Sequence, residues 1–543
     1  MNVSLTPELE RFVDGKVESD HPKKATWAFG KSGAGAIVLC NCDDDDGKGA
    51  ADHSDDKVNG ASDVDDLAPL VVRATGPLKP SYSLVLVSGS DRTRWRIFDG
   101  RAVGASVAVG PSSSSSEFTI PSPTVESTLG IEATDFPDVG KNPLLDLGLE
   151  LRDGAKLVIK DTVQMRVAPW MIASHSEHAD TVMVMDTGET AGKRDQRVFL
   201  AGVQAMAAAA GCTVNADATP SRRLDRWVQD CMEIGFTSMP GQGMHVVLHL
   251  ARGNPLDAVP PTLLAPGFGL VKKGSDTSSL NYGGNIETSP PVTVGGKKFI
   301  LGRFIYGSQS RGSDIMDMDA FYTAQQVQDP VRLDTTWLSV GHVDETITMV
   351  PTSSGFRLVM ASAQRALDVL QDLQNKGNGG APVMVGRQDV DMNFNPIGNL
   401  ETTVTALLKN SKLVTFNELV AKKIKEQRNL LTAGLGIKDS DVIDLPVLYR
   451  KSGPIRGLAD AFTGGMANML IVNGHAALAK PFGPVVGGVD MFEQEAINKL
   501  SPLGLTLHFI DDWYTYHLML GEVHCGTNTI RTENQFNWWE FEP

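Results

Sequence analysis

The sequence predicts a β-sandwich followed by one large α/β domain. Three observations carry this. Short β-branched runs recur between turn signals over about residues 27–167. From Ala168-Pro169-Trp170 onward, strand-like and helical stretches alternate. The chain has 543 residues, 41% of them hydrophobic, which is core enough for more than one domain.

Residues 1–26 read as a leader with little core of its own, and the polar, charged run Met1 to Asp20 does not resemble a secretory signal. Gly35 to Asn41 is a β-branched run and predicts a strand. It leads into Asn41-Cys42-Asp43-Asp44-Asp45-Asp46, and acids continue through Asp52, Asp55, Asp56, Asp63, Asp65 and Asp66. Such a run is either a solvated acidic loop or a calcium site. Carboxylates this crowded repel one another unless a hard cation neutralises them, and Ca2+ takes about six to eight oxygens. The spacing does not fit an EF-hand. Strands are then expected at Tyr82 to Val87, Arg94 to Phe98, Ser106 to Val109, Glu117 to Ile120 and Leu157 to Val167. Asp99-Gly100, Ser112 to Ser116 and Asp153-Gly154 mark turns between them.

In the second part, strands are expected at Thr181 to Met185, Gly355 to Met360, Asp441 to Tyr449, Asn468 to Val472 and Leu505 to Ile510. Helices are expected at Arg194 to Ala210, Ala363 to Lys376, Leu413 to Leu431 and Met491 to Leu500. No linker rich in Gly, Pro or Ser divides this part, so residues 168–543 are read as one domain.

Charge narrows the function. Lys plus Arg is 49 and Asp plus Glu is 65, a formal net charge of -16. That balance argues against nucleic acid and favours metal ions or basic peptides. The most apolar window, Ala201 to Val214, is too short to span a bilayer. Five cysteines with no framework spacing suggest a reducing, cytoplasmic compartment.

The chemistry is expected in three remote segments. Gly521 to Asn528 sets Cys525 between turn-forming residues at a strand end, where a thiol would be accessible. Asp225-Arg226-Trp227-Val228-Gln229-Asp230 carries a Trp and two acids. In Gly341-His342-Val343-Asp344-Glu345, strand alternation would aim His342 and Asp344 the same way. Together they offer a thiol, an imidazole and two carboxylates. Two carboxylates can hold a planar guanidinium by charge-assisted hydrogen bonds. A thiolate can attack the carbon between its nitrogens, and the imidazole can protonate departing ammonia and then deprotonate water.

These motifs closely resemble the protein-arginine deiminases. The likeness extends to Met232-Glu233-Ile234-Gly235, Ser289 to Val294, Leu338 to Glu345 and Lys480-Pro481-Phe482-Gly483-Pro484, and runs from about residue 27 to the C-terminus. The resemblance implies a five-bladed, pseudo-fivefold α/β propeller (a pentein) for the catalytic domain, behind an immunoglobulin-like β-sandwich. Family members carry two sandwiches there, and this chain has room for one. Cys525 is then the nucleophile, His342 the acid and base, and Asp230 and Asp344 the guanidinium ligands. Trp227 lines the substrate channel and Arg252 holds the substrate backbone. His524 has no catalytic role by resemblance.

The resemblance also implies calcium. Asn41, Asp43, Asp45, Asp52, Asp63 and Asp66 match ligand positions in the sandwich. Gln229, Glu233 and Glu287, with carbonyls of Gly283 and Ile286, match a second set. A further family site carries Cys231 and His249 in place of acids, and a thiol is a poor calcium ligand. The expected activity is calcium-dependent hydrolysis of peptidyl-arginine to peptidyl-citrulline through a cysteine thiouronium, with arginine-containing proteins or peptides as partners. The competing readings are a deiminase or amidinotransferase acting on free arginine or agmatine, and a non-enzymatic calcium-binding interaction protein.

Overall fold

The computed structural model describes residues 3–7, 21–30, 35–74, 78–89, 91–120, 126–222, 225–312, 315–391, 393–452, 457–533 and 537–541. Most of the stretch read as a leader lies outside them. Residues 3–7 do not behave as a leader. They form strand β1 (Val3–Pro7), which pairs antiparallel with β3 (Ala68–Ala74).

The first part contains two five-stranded sheets. The remaining strands are β2 (Ala36–Val38), β4 (Tyr82–Ser88), β5 (Trp95–Phe98), β6 (Val107–Val109), β7 (Glu117–Thr119), β8 (Glu126–Ala133), β9 (Leu144–Asp153) and β10 (Lys156–Val167). One sheet runs β1-β3-β8-β5-β6 and the other β2-β10-β9-β4-β7. Alternation explains the shared core. In β3, Ala68, Leu70, Val72 and Ala74 are buried while the residues between them are partly exposed. They join a cluster with Leu84, Leu86, Trp95, Ile97, Leu129, Ile131 and Leu147.

The second part is mixed α/β. Its first strands are β11 (Met171–Ile172), β12 (Ala179–Met185), β13 (Thr213–Asp217), β14 (Met232–Met239), β15 (Gln242–Leu250) and β16 (Phe268–Lys273). Among the described residues, five sheets of three or four strands repeat one pattern. Each contains an antiparallel pair, and one strand of that pair also takes a parallel neighbour. They are Thr527–Arg531 with β12 and β13; β14 with β15 and β16; Ile286–Thr288 with Phe304–Gly307 and Val331–Leu333; Ile347–Thr352 with Gly355–Ser362 and Val442–Pro446; and Leu470–Val472 with His475–Ala479 and Thr506–Ile510.

Helices occupy the crossovers, as parallel pairing requires. Ala363–Asn375 starts where the Ser362 hydroxyl accepts the Arg365 N–H, and it buries Ala366, Val369, Leu370 and Leu373 at helical spacing. Met491–Leu500 starts at Asp490, whose carboxylate accepts from the Phe492 and Glu493 N–H groups. No described helix is long and apolar enough to cross a membrane.

The two parts meet along several contacts. The Arg166 guanidinium, buried at the end of β10, lies 4.8–4.9 Å from the Trp27 and Phe29 rings and 5.8 Å from Trp538. The acidic loop also reaches across. Asp43 accepts the Gly267 N–H at 2.7 Å, Asp66 accepts from the Gln242 amide at 2.6 Å, and Leu270 N–H donates to the Cys42 carbonyl at 2.9 Å.

Candidate active site

Three turns carry the site, each just ahead of a strand. Asp230 precedes β14, the His342-Asp344 segment precedes Ile347–Thr352, and Cys525 precedes Thr527–Arg531. The expectation that His342 and Asp344 alternate along a strand is therefore wrong. Gly341 has φ of 93°, and Glu345 Oε1 accepts both the Gly341 and His342 N–H groups at 2.9 Å, which folds the segment into a turn. The thiol also differs from its expected accessibility: Cys525 is only 4% exposed.

A fourth turn, Gly283–Asn285, gathers these segments by backbone bonds. Gly283 N–H donates to the Asp230 carbonyl and Asp344 N–H donates to the Gly284 carbonyl, both at 3.3 Å. Gln229 N–H donates to the Cys525 carbonyl at 3.4 Å. Glycine is required at this centre. A Cβ on Gly284 would sit 2.5 Å from His342 Nδ1, 3.0 Å from Asp230 Oδ1 and 3.1 Å from Asp344 Oδ2. The imidazole and both carboxylates thus converge on one small space. Asp230 Oδ1, Asp344 Oδ1 and His342 Nδ1 are buried there with no hydrogen-bond partner, and buried groups of this kind call for a polar ligand.

Neighbours fix each group. His342 Nε2 lies 2.8 Å from the Ser279 carbonyl, which can only accept, so Nε2 carries the proton and Nδ1 faces Asp230 Oδ1 at 3.6 Å. Cys525 Sγ lies 3.3 Å from Asp344 Oδ2 and accepts from the Asn468 amide at 3.1 Å. Burial pushes the thiol well above its ordinary pKa, and Asp344 and Asp230 push it further. Burial also raises Asp230, against the lowering pull of Arg252 and His342. Trp227 is half-buried, edge-on to Tyr516 at 5.3 Å, and packs on Gly521, where a Cβ would lie 2.4 Å from its ring. Arg252 donates from Nη1 to Asp230 Oδ2 at 2.6 Å and from Nε to Asp225 at 3.2 Å, lying over the Tyr282 ring. The structure brings Arg252 onto the same carboxylate that faces His342.

The residues that sequence reasoning missed are Gly284, Asn468 and His524. His524 donates through Nδ1 to Asp344 Oδ2 at 2.9 Å. Burial alone would lower its pKa, but Asp344, Glu287 and Glu233 outweigh it and hold the ring at about 9. Gly284 and Asn468 sit in no recognisable pattern. His524 adjoined the nucleophile, and that adjacency was the available signal.

Two acidic regions could hold a metal. Oxygens of Asp43, Asp45 and Asp66 lie within 4.8 Å of one another, and so do oxygens of Asp44, Asp46 and Asp52. Asn41 donates to Asp63 at 3.0 Å. Asn41 Oδ1, Asp43 Oδ1 and Asp45 Oδ2 are buried without a partner. Burial, with help from neighbouring carboxylates, lifts Asp45 to about 7 and Asp52 and Asp66 to about 8. Near the catalytic groups, the Gln229 amide donates to Glu233 at 2.8 Å and approaches the Gly283 carbonyl at 3.4 Å. Ile286 opens the strand that carries Glu287. Burial raises Glu233 to about 8 and Glu287 to about 7. At the altered site, Cys231 Sγ lies 3.4 Å from the Val228 carbonyl and His249 lies 3.7 Å from Asp257.

Comparison with known proteins decides the family. Residues 157–540 match the family described as Protein-arginine deiminase (PAD), and residues 1–153 match the Protein-arginine deiminase (PAD) middle domain. The chain belongs to the protein-arginine deiminase family. It is 34% identical to protein-arginine deiminase type-4 of Rattus norvegicus over 572 residues, covering 100% of this chain and 83% of that protein. Type-1 of Homo sapiens is also 34% identical, over 564 residues, with the same coverage. A solved structure, the agmatine deiminase of Enterococcus faecalis catalyzing its reaction, aligns with TM-score 0.38 and 14% identity over 67% of this chain and 96% of that one.

Proposed function

We propose that this deiminase hydrolyses peptidyl-arginine to peptidyl-citrulline and releases ammonia, with Cys525 as nucleophile. The convergence of Cys525, His342, Asp230 and Asp344 from three remote segments around Gly284 carries the proposal. The unpartnered oxygens of Asp230 and Asp344 would take guanidinium N–H groups. A cation between them offsets the two charges that hold the thiol protonated, so the substrate itself would promote transfer of the Cys525 proton to His342 Nδ1, which leaves a thiolate and an imidazolium. The thiolate then attacks the guanidinium carbon. His342, through Nδ1, delivers a proton to the leaving nitrogen, and ammonia departs to leave a thiouronium. The same nitrogen next takes a proton from water as it attacks, and collapse returns the thiolate and citrulline. Acid–base help of this kind is worth about 10²–10⁴-fold. Trp227 would line the path of the arginine stem, and Arg252 would turn from Asp230 toward the substrate backbone.

Calcium is the cation these residues fit. The orphaned oxygens among Asn41, Asp43 and Asp45, with Asp52, Asp63 and Asp66, form an oxygen-only donor set suited to a hard ion. Gln229, Glu233 and Glu287, with the Gly283 and Ile286 carbonyls, would form the second set. Calcium there supplies positive charge that keeps these carboxylates ionised and fixes the backbone beside Asp230.

The five repeated sheets support a closed pseudo-fivefold propeller, and the two facing sheets an immunoglobulin-like sandwich. Their boundary falls near residue 167, where β10 ends, and β1 adds a strand to the sandwich at Val3–Pro7, ahead of the start expected at residue 27. Five free thiols support a cytoplasmic setting.

The test is incubation with an arginine-containing peptide and calcium, followed by mass spectrometry. We expect arginine converted to citrulline, no conversion by Cys525→Ala, and little competition from free arginine. An unchanged rate in Cys525→Ala would overturn the mechanism. Preference for free arginine over a blocked peptide would overturn the substrate class.

A further inference from the structure

The five repeated sheets each bring one turn to the reacting groups. In each sheet that turn stands just ahead of one strand of the antiparallel pair: Asp230 ahead of Met232, Gly284 ahead of Ile286, Asp344 ahead of Ile347 and Cys525 ahead of Thr527. The remaining sheet offers Asn468, ahead of Leu470–Val472. It is the one member of this set without a part in the chemistry set out above. Asn468 is 2% exposed, and its N–H closes the turn on the Gly465 carbonyl at 3.0 Å.

Asn468 grips the nucleophile turn in three places. Its carbonyl accepts the His524 N–H at 3.3 Å, its Oδ1 accepts the Cys525 N–H at 3.2 Å, and its Nδ2 lies 3.1 Å from Cys525 Sγ. A backbone N–H can only donate, so it fixes which end of the amide faces it. Oδ1 takes the Cys525 N–H, which leaves Nδ2 as a donor to sulfur. The thiol hydrogen then points the other way, toward Asp344 Oδ2 at 3.3 Å. The two neighbours respond oppositely when the sulfur ionises. Asp344 loses a hydrogen bond and meets a like charge. The Asn468 amide gains, because a hydrogen bond to an ion is roughly twice as strong as a neutral one. Asp344 and Asp230 hold the thiol proton on, and the Glu522 backbone opposes them. Asn468 adds a second opposing donor, and this one is a side chain.

We propose that Asn468 is a further catalytic residue, the side-chain donor that stabilises the Cys525 thiolate and aims it at the amidine carbon. This role rests on Cys525 being the nucleophile of the deimination proposed above. When the Cys525 proton passes to His342 Nδ1, an Nδ2–H of Asn468 meets the charge left on sulfur. Attack moves that electron pair into the new S–C bond, and the contact weakens. It strengthens again when collapse of the hydrated intermediate breaks the S–C bond and expels sulfur as a thiolate. Attack and release thus draw on the same N–H. The substrate nitrogens rest on Asp230 and Asp344, so ground-state binding gains nothing from Asn468.

The test reads the thiol without substrate, which separates this role from the reaction class. Iodoacetamide labels the full chain in calcium buffer across pH, and mass spectrometry follows the label on Cys525. Asn468→Leu keeps the branched outline of the side chain and removes the donor without adding charge. Its labelling midpoint should rise by about one pH unit or more. On an arginine peptide, kcat should fall by about tenfold to a hundredfold while KM stays within about twofold. Asn468→Ala is the second variant and should move the midpoint and kcat in the same directions, with a thermal melt confirming that each variant is folded. A midpoint that stays in place in a folded variant would overturn the proposal. So would slower labelling at every pH with no movement of the midpoint, the mark of a residue that only holds the turn. A rise in KM at unchanged kcat would overturn it too, because it puts Asn468 on the bound substrate. A midpoint that moves as expected in a chain forming no citrulline would support the thiolate role and sink the deimination reading.

Discussion

Gly284 decides how much room the reacting carbon has. Its missing side chain leaves the space on which His342 Nδ1, Asp230 Oδ1 and Asp344 Oδ2 converge. Gly284→Ala should therefore lower kcat/KM by about a hundredfold or more, since small displacements of reacting groups cost that much. The melting temperature should fall by only a few degrees, because the strain is local and on the order of 1–3 kcal/mol. Steady-state kinetics beside a thermal melt checks both. Asp344→Asn keeps the shape and removes the charge. We expect it to abolish turnover while iodoacetamide labels Cys525 at lower pH, because Asp344 is among the charges holding that thiol up. The four reacting groups were legible because each sits in a dense motif. Gly284 and Asn468 were not. Their value lies in what packs against them, and no local pattern records that.

At the scale of elements, a turn rather than a strand presents each catalytic side chain. The strand expected through His342 failed because Gly341 turns the chain and Glu345 collects the two N–H groups that a strand would have paired. The helix Met491–Leu500 was read to the residue because its Asp490 cap and its apolar spacing agree. The hairpin of β14 and β15 went unread. Long runs of both strands, Ile234 to Thr237 and Val246 to Leu250, are buried without a break, so the alternation that betrays a half-exposed strand is missing. The segment before the nucleophile holds a buried acid pair. Burial raises Asp512 strongly and takes Glu522 to about 7, while Glu522 also accepts the Gly465 N–H at 2.7 Å. A carboxyl whose folded pKa lies above its unfolded value stabilises the fold when protonated. That contribution is complete below about pH 4.5 and is lost as pH rises through about 7. Thermal melts from pH 5 to 9 should fall, and Asp512→Asn should flatten the fall and gain on the order of 2 kcal/mol at pH 8. A steeper fall in the variant would contradict this.

Across the whole molecule, the acidic loop is a joint as much as a cation site. Asp43 and Asp66 hold Gly267 and Gln242 of the α/β part. The strand spacing and the acid run were readable in sequence, but this reach was not, because contacts between parts leave no periodicity. Calcium at a hundredfold excess over its Kd should add about 2.7 kcal/mol to unfolding. Asp45→Asn should remove much of that gain, as differential scanning calorimetry with and without chelator would show. The Cys42 carbonyl caps Leu270 on β16, which is the outermost strand of its sheet. A polypeptide begun at Ala168 would leave the Leu270 amide and this edge of β16 uncovered, and bare edges recruit copies of themselves. Such a fragment should cluster in solution even with every reacting group intact, so the sandwich serves as a permanently tethered guard against self-association.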